Sequence, residues 1–364
     1  MKFIVKQEYL NKALGVVSKI ATNRSDLTSL STVLIKTSSN SITLTTTNLE
    51  AAITYTIPGK IEEEGSLAIP IRLLNDFVTN LPQENINVSS RDNNIHIELD
   101  HHSSTINGID PQEFPAIPQI TEGRTIKIKG NILKNAVQNT IIAASSDDSR
   151  PILNGLYVHN TNGKLTIAAT DSYRLSEQII NQEIDGELSV VIPKTAASEL
   201  TRFLEAEDNT ELIFEKNQIQ ATTENVVLVA KTIDGAYPQY QQLIPQEAEV
   251  EATVNRQDFL NSVKVAGLFA RENAGSIILS ADEENNTISL SSTTTQVGEN
   301  KSNIPAGVTG SGEVTLNSKY VIDALNTMNS EEVSIMFSEK VNPVVIRPIS
   351  SDKDFLQLIM PLKT

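Results

Sequence analysis

One stretch recurs three times at a nearly constant offset, and that recurrence limits the folds open to this chain. Ala168-Ala169-Thr170-Asp171-Ser172-Tyr173-Arg174-Leu175 follows the alternating run Leu165-Thr166-Ile167. Degraded versions lie upstream, Leu44-Thr45-Thr46-Thr47-Asn48-Leu49-Glu50, and downstream, Leu290-Ser291-Ser292-Thr293-Thr294-Thr295. Thr47 lies 123 residues before Thr170, and Thr170 lies 124 before Thr294. The entries to three later helices keep the same step: Pro70 to Pro193 is 123 residues and Pro193 to Asn317 is 124. Each pass also closes on a proline-bearing segment: 110–118, then 234–245, then 355–361. A fixed period marks a repeated structural unit. A period of roughly 120 residues is too long for a solenoid, so each repeat is a domain. The expected domains are 1–122, 123–247 and 248–364.

Within a repeat the periodicities are those of two amphipathic helices and many alternating strands. Leu10, Ala13, Leu14, Val17 and Ile20 form one apolar stripe, and Leu74, Phe77, Val78 and Leu81 a second. The next repeat offers Ile132, Leu133, Ala136, Val137 and Ile141, then Ala197, Leu200, Phe203 and Leu204. The last offers Phe259, Leu260, Val263 and Gly267, then Val321, Ile322, Leu325 and Met328. Strands are expected at 3–5, 32–37, 41–47, 51–57, 66–69, 86–89 and 94–99, and again at 125–128 and 251–254. Strand-helix-strand alternation is scarce. The fold class is therefore α+β, three repeated domains each with two helices packed on antiparallel sheets.

The formal charge is −16, from 45 acidic and 29 basic residues, which argues against a protein that coats nucleic acid indiscriminately. Its distribution says more. Acids gather in loop-like runs such as Glu62-Glu63-Glu64, Asp282-Glu283-Glu284 and Glu331-Glu332. The polar faces of the helices instead carry Lys12, Lys19, Arg72, Lys134, Lys194, Arg202, Arg256, Lys264 and Lys319, with Arg24 and Arg271 just past two of them. A single lysine of this kind is ordinarily just solvated. A basic helical face inside an acidic chain fits a polyanion that meets only that face. Phosphate contacts of this sort position a duplex without reading its bases.

Catalytic signals are poor. With no Cys, a disulfide frame, thiolate metal site or cysteine nucleophile is excluded. With no Trp and 4 % aromatics, stacking platforms for single strands are not expected. Asp100-His101-His102 reads as an exposed strand end, because neighbouring strand residues point to opposite faces. Asp147-Asp148 lies in a loop without a histidine partner. Gly307, Gly310 and Gly312 are turn chemistry, and no phosphate-binding loop or nucleophile elbow is present. The Asn285-Asn286-Thr287 sequon has no meaning without secretion. Neither catalysis, metal nor cofactor is expected. The start, Met1-Lys2-Phe3-Ile4-Val5-Lys6, lacks a signal peptide, and no run approaches a membrane span. The expectation is a cytoplasmic protein.

Several of these segments resemble one family. Ala169-Thr170-Asp171-Ser172-Tyr173-Arg174-Leu175, Ser149-Arg150-Pro151-Ile152-Leu153-Asn154-Gly155 and Asp234-Gly235-Ala236-Tyr237-Pro238 resemble signatures of the bacterial DNA polymerase III β subunits, the sliding clamps. Leu268-Phe269-Ala270-Arg271-Glu272-Asn273 and the tail Leu358-Ile359-Met360-Pro361-Leu362-Lys363-Thr364 are similar to it as well. The resemblance covers the whole chain, in order.

It implies a ring of two chains joined head to tail, six domains around duplex DNA, with helices lining the hole. That would place Lys12, Lys19, Arg24, Lys134, Arg150, Lys194 and Lys264 toward the DNA. It implies no catalytic role but a tether for the replicative polymerase, the clamp loader and repair proteins, which dock by short linear motifs. The implied pocket comprises Leu153, Thr170, Ser172, Tyr173, Arg174, Leu175, Pro238, Gln242, Leu243, Asn317, Tyr320, Val341 and Pro343, completed by Leu358, Ile359, Met360, Pro361 and Leu362 with the last two residues. On periodicity alone these apolar positions would be ordinary core. Four positions depart from the family pattern. Ser172-Tyr173 stands where Gly-His is common, Lys363 where Arg is common, and Thr364 where an apolar residue is. The resemblance therefore implies an altered motif preference. The rival reading is a triplicated β-rich structural or interaction protein whose basic helices merely face solvent.

Overall fold

The computed structural model describes residues 1–21, 27–39, 41–118, 120, 122–206, 209–270, 274–294, 298–338, 342–349 and 354–362. The three passes repeat one order of elements. The first runs β1 (Lys2–Lys6), α1 (Gln7–Val17), β2 (Thr32–Ser38), β3 (Ser41–Thr47), β4 (Ala51–Pro58), β5 (Lys60–Glu63), β6 (Gly65–Pro70), α2 (Ile71–Thr79), β7 (Asn85–Arg91), β8 (Asn94–Leu99) and β9 (His102–Asn107). The second runs β10 (Arg124–Lys129), α3 (Gly130–Ile141), β11 (Gly155–Thr161), β12 (Lys164–Thr170), β13 (Arg174–Glu183), β14 (Ser189–Pro193), α4 (Lys194–Phe203), β15 (Asn209–Glu215), β16 (Gln218–Thr222) and β17 (Val226–Lys231). The third runs β18 (Val250–Asn255), α5 (Arg256–Phe269), β19 (Ser276–Asp282), β20 (Thr287–Thr294), β21 (Gly298–Thr309), β22 (Gly312–Asn317), α6 (Ser318–Asn326), β23 (Glu332–Phe337), β24 (Val344–Pro348) and β25 (Phe355–Ile359).

The chain forms two compact units, Met1–Lys134 with Thr195–Thr232, and Asn135–Lys194 with Ile233–Thr364. The first holds an eight-stranded sheet, β10-β15-β16-β17-β4-β3-β2-β6, and a five-stranded one, β5-β1-β7-β8-β9. The second holds a twelve-stranded sheet, β14-β11-β12-β13-β25-β24-β23-β18-β21-β20-β19-β22. Every recorded pairing is antiparallel. Both units keep one face of each helix on the sheets. In the first, Leu10, Ala13, Leu14 and Val17 of α1 are buried, as are Leu74 and Val78 of α2. In the second, Phe259, Leu260 and Val263 of α5 join Val321 and Leu325 of α6 in one core with β-sheet residues such as Ile277, Leu316 and Ile335.

The helical stripes are those of the sequence, with local exceptions. Ile132 is 43 % exposed instead of buried. About two turns on, Thr140 turns inward instead and is fully buried, its Oγ1 donating back to Ala136 O (2.7 Å). Ile20 is buried although α1 ends at Val17. Asp100 and His101 form the tight β8–β9 turn, closed by the Leu99–His102 pair.

Candidate functional site

The turn between β12 and β13 is built from its own polar side chains. Thr170 Oγ1 donates to Arg174 O (2.6 Å) and accepts from Ser172 N (3.1 Å). Asp171 Oδ1 accepts from both Tyr173 N and Arg174 N (3.0 Å each). Ser172 is held at φ +78°, a left-handed conformation that costs a side-chain-bearing residue energy and is sustained here by the surrounding bonds. The first repeat reproduces this scaffold atom for atom. Thr47 Oγ1 donates to Ala51 O (2.9 Å) and accepts from Leu49 N (3.0 Å), Asn48 Oδ1 accepts from Glu50 N and Ala51 N (3.0 and 2.8 Å), and Leu49 has φ +72°. The repeat offset read from sequence is thus a repeat of hydrogen bonds.

In the second unit the turn gains partners that the first-repeat turn lacks. Arg174 donates through Nε to Asp171 Oδ2 (3.0 Å) and through Nη1 to Asp323 Oδ2 on α6 (2.7 Å), while its guanidinium lies over the Tyr320 ring at 4.6 Å. Only 13 % of its side chain is exposed, so these charge-assisted bonds are shielded from solvent. Asn317 caps α6, accepting from Lys319 N and Tyr320 N (2.9 and 3.4 Å), and burial pushes the Tyr320 phenol above its ordinary range. Arg150 Nη1 donates to Ser172 Oγ (2.8 Å), and Thr170 N donates to the Tyr237 hydroxyl (3.0 Å). The tail ties in through Met360 N to Tyr173 O (2.8 Å) and Leu362 N to Thr315 O (2.9 Å).

From Gly235 a strap, residues 235–246, crosses this same sheet. Gly235 has φ +133°, a backbone state open essentially to glycine alone, and a Cβ there would meet Ile152 Cδ1 at 3.3 Å. Along the strap, residues alternate between two clefts. Gln242, Leu243 and Pro245 line one of about 420 Å³, with Glu247, Ala248, Phe337, Ser338, Asn342, Pro343 and Met360. Gln241, Ile244 and Gln246 line another of about 350 Å³. The sheet beneath the strap contributes Ala168, Leu175, Val345, Leu356 and Leu358, and the strap's Tyr240 packs among them, with partly buried Tyr157, Tyr237, Ile244 and Met360 alongside.

The first cleft gathers Gln242, Leu243, Pro343 and Met360 from the sequence-derived set. Leu175 and Leu358 are buried in the apolar cluster that Met360 packs against, and Leu153 and Ile359 are buried as well. Tyr173 and Leu243 are the large apolar side chains of the set left open, 63 % and 52 % exposed. Pro238 is exposed and Pro361 and Leu362 half-buried beside them. Thr170, Arg174, Asn317 and Tyr320 make the hydrogen-bonded wall just described. Val341, Lys363 and Thr364 lie outside the described residues. Sequence reasoning missed Glu247, Phe337, Ser338 and Asn342: Glu247 follows the strap directly, and the other three, far along the chain, are brought to it only by the fold.

The basic residues are less uniform than their spacing suggested. Lys19 and Lys264 are exposed. Lys12 pairs with Glu205 (2.7 Å), and Lys134 Nζ donates to Leu204 O (3.1 Å). Lys194 Nζ donates to Ala144 O (2.8 Å) and contacts Ser146 Oγ (3.4 Å). Its ammonium is held below the ordinary lysine range, by partial burial first and then by the Arg174 charge. Arg256 is turned inward onto Ser330 O and Leu325 O at the end of α6. Arg24 and Arg271 lie outside the described residues. Among the described residues, no three His, Asp or Glu side chains converge as a metal site, and no helix is long and apolar enough to cross a membrane. The geometry suits the grip of a short peptide: an apolar groove with a few fixed polar groups.

Comparison with known proteins gives a consistent result. Models of the DNA polymerase III beta subunit match domain by domain, the N-terminal domain at 1–118, the central domain at 127–239 and the C-terminal domain at 241–363. The beta sliding clamp of Staphylococcus epidermidis is 28 % identical over 377 aligned positions, covering 100 % of both chains. That of Staphylococcus aureus is 28 % identical over 378 positions with the same coverage. Among solved structures, the DNA polymerase sliding clamp of Bacillus subtilis superposes with a TM-score of 0.94 at 28 % identity, covering 100 % of this chain and 99 % of that one. The DNA polymerase III subunit beta of Bartonella birtlesii, solved bound to griselimycin, gives 0.95 at 27 % identity, with 100 % of both chains covered. With three domain models matched in order and only short junctions between them, this chain belongs to the DNA polymerase III beta subunit family.

Proposed function

We propose that this chain is a DNA sliding clamp: a non-catalytic cytoplasmic processivity factor that closes around duplex DNA as a head-to-tail dimer and tethers the replicative polymerase and other replication and repair proteins. The observation that carries this is an unmatched pair of strand edges. Residues 226–230 of β17 pair with 51–55 of β4, and residues 355–359 of β25 pair with 174–178 of β13. Each junction joins the last strand of one repeat to the same strand of its predecessor. Two corresponding edges have no such neighbour among the described residues: β9, the last strand of the first repeat, and 298–302 of β21 in the third. Paired between copies they satisfy each other, and two copies doing so reciprocally close without a free end. The three repeats, 1–122, 123–247 and 248–364, would then give six domains in one ring.

Within it, Lys19 and Lys264 are the leading contacts to phosphate, while Lys12, Lys134, Arg150 and Lys194 would first have to exchange an internal partner, and Arg24 completes the set. The cleft at the strap is the docking groove for short linear motifs, and griselimycin, bound by the Bartonella relative, is a ready probe for it. Sedimentation across a range of concentrations tests the assembly. A species of twice the 39.7 kDa chain mass is expected. A monomer at every concentration would contradict the ring.

A further inference from the structure

The strap is fastened from below by a chain of buried polar groups that neither the groove nor the DNA reading requires. Tyr240, 1 % exposed, is the strap's inward anchor. Its hydroxyl donates to Glu177 Oε2 (2.5 Å) on β13. The same oxygen is therefore left to accept from His159 Nε2 on β11 (2.8 Å), so His159 carries its hydrogen on Nε2. Thr161 Oγ1, 3.4 Å from His159 Nδ1, completes the run as its donor. Tyr157 stacks on both His159 and Tyr237 (centroids 4.4 and 4.5 Å apart), and Tyr237 holds Thr170 N of the groove turn. Glu177 is only 6 % exposed, and among the described residues no cation lies within ion-pair distance of it. A nearly buried carboxylate without an ion-pair partner is costly, and its neighbours on this face, Leu175, Leu356 and Val345, show that an apolar residue would fit. The second cleft, lined by Glu177, Asp354, Arg347 and Gln241, gives this carboxyl access to solvent without opening the groove.

We propose that Glu177, Tyr240 and His159 form a latch that positions the strap, and with it the Gln242–Leu243 wall of the groove. The proposal rests on the docking reading above. In the resting state every group is used once: His159 Nε2–H to Tyr240, Tyr240 O–H to ionised Glu177. Either protonation state of Glu177 leaves an oxygen to accept from Tyr240, so what the run requires is an acceptor at position 177. The charged and titratable groups facing the latch are Arg347 from β24, Asp354 beside β25, Tyr157 from β11 and Tyr237 from the strap. Burial favours the neutral form of both Glu177 and His159, so the closed latch accommodates a proton on Glu177 and opposes one on His159. All three are positioning residues, since none lines the groove's peptide-facing wall.

The test measures griselimycin affinity and hydrogen exchange of the strap amides in the full chain. Tyr240→Phe removes one buried donor and acceptor, and should weaken griselimycin roughly tenfold and speed strap exchange at every pH. Glu177→Gln can still accept from Tyr240, so it should bind within about threefold of the parent, whereas Glu177→Leu fits the apolar face but cannot accept and should weaken griselimycin as Tyr240→Phe does. Parent-like binding and exchange in Tyr240→Phe would overturn the latch. Equal binding and exchange in Glu177→Gln and Glu177→Leu would overturn the need for an acceptor at position 177. If the parent itself fails to bind griselimycin, the docking reading falls instead, and strap exchange alone decides the latch.

Discussion

Removing the Asp171 carboxylate should unmake the groove turn, and replacing it with the residue the first repeat uses should not. Asp171→Ala deletes the acceptor for Tyr173 N and Arg174 N and one of the two carboxylates on Arg174. Tyr173 is exposed, so its freed N–H can turn to water. Arg174 is nearly enclosed, so its N–H and guanidinium lose partners that water replaces poorly. One partly buried backbone bond and one shielded charge-assisted bond together are worth about 2–4 kcal/mol locally. Asn48 shows that an amide oxygen suffices for both backbone bonds in this geometry, at 3.0 and 2.8 Å. Asp171→Asn should therefore keep the turn and lose only part of the ion pair, about 1 kcal/mol. Native-state hydrogen exchange at Tyr173, Arg174 and Leu175 reads this directly. The alanine variant should exchange on the order of a hundredfold faster and the asparagine variant less than about tenfold faster. Equal effects of the two substitutions would refute the idea that the turn is held by side-chain acceptors.

Four further outcomes are expected. Breaking Arg174–Asp323 by Arg174→Gln and Asp323→Asn should give a coupling energy of about 1–2 kcal/mol in a double-mutant cycle read on local exchange, and no coupling would show that the 2.7 Å pair is idle. Gly155→Ala would bring a Cβ within 2.4 Å of Ile192 O, a backbone atom, so unfolding of the second unit should come about 1–3 kcal/mol easier, and an unchanged melting profile would contradict the close approach. Reversing Lys19 and Lys264 together should shorten retention on circular DNA and flatten its salt dependence while griselimycin affinity stays constant, and unaltered retention would remove them from the DNA-facing set. The pH dependence has two opposed parts. His159 is held below its ordinary value of 6.5, so its contribution is present above that pH and lost as pH falls through it. Glu177 is held above its ordinary 4.5, so its contribution is present below that pH and lost as pH rises. Relative to the parent, Glu177→Gln should gain stability as pH rises from 4.5 toward neutrality, measured by thermal melts across pH.

Much of this was legible in the chain before any coordinates. The offset from Thr47 to Thr170 is local sequence, and the bonds that Thr47 and Asn48 share with Thr170 and Asp171 are made within five residues, so pattern and structure coincide. The stripes of α1, α4 and α6 were visible for the same reason, since helical periodicity is set over one or two turns. What could not be read depends on distant pairings. The sheet alignment of β13 with β25 brings Phe337, Pro343 and Met360 beside the strap, and no spacing in the sequence encodes that register. The basic helical faces looked uniform because charge type is visible and its partner is not. Glu205 beside Lys12, Ala144 O beneath Lys194 and Leu325 O beside Arg256 are meetings of residues tens of positions apart. Nothing local marks His159, since its partner Tyr240 and the Glu177 beyond it lie on other elements.

The central claim is that two copies close edge to edge, and a disulfide tests it most directly because the chain has no cysteine of its own. Carrying the register of the two internal junctions forward by the repeat offset sets Ile106 opposite Gly298, Ser104 opposite Asn300 and His102 opposite Ser302 of the second copy. In the internal junction Glu50 O accepts from Lys231 N and Asn225 O from Thr56 N, which makes the position equivalent to Ser104–Asn300 a non-hydrogen-bonded pair, where Cα atoms approach within disulfide range. A chain carrying both Ser104→Cys and Asn300→Cys, oxidised and run under denaturing conditions, should migrate at twice 39.7 kDa and return to single mass on reduction, while Ser104→Cys with Lys301→Cys should cross-link far less. A doubly substituted chain that stays at single mass, or one that cross-links equally well out of register, would contradict the closed ring.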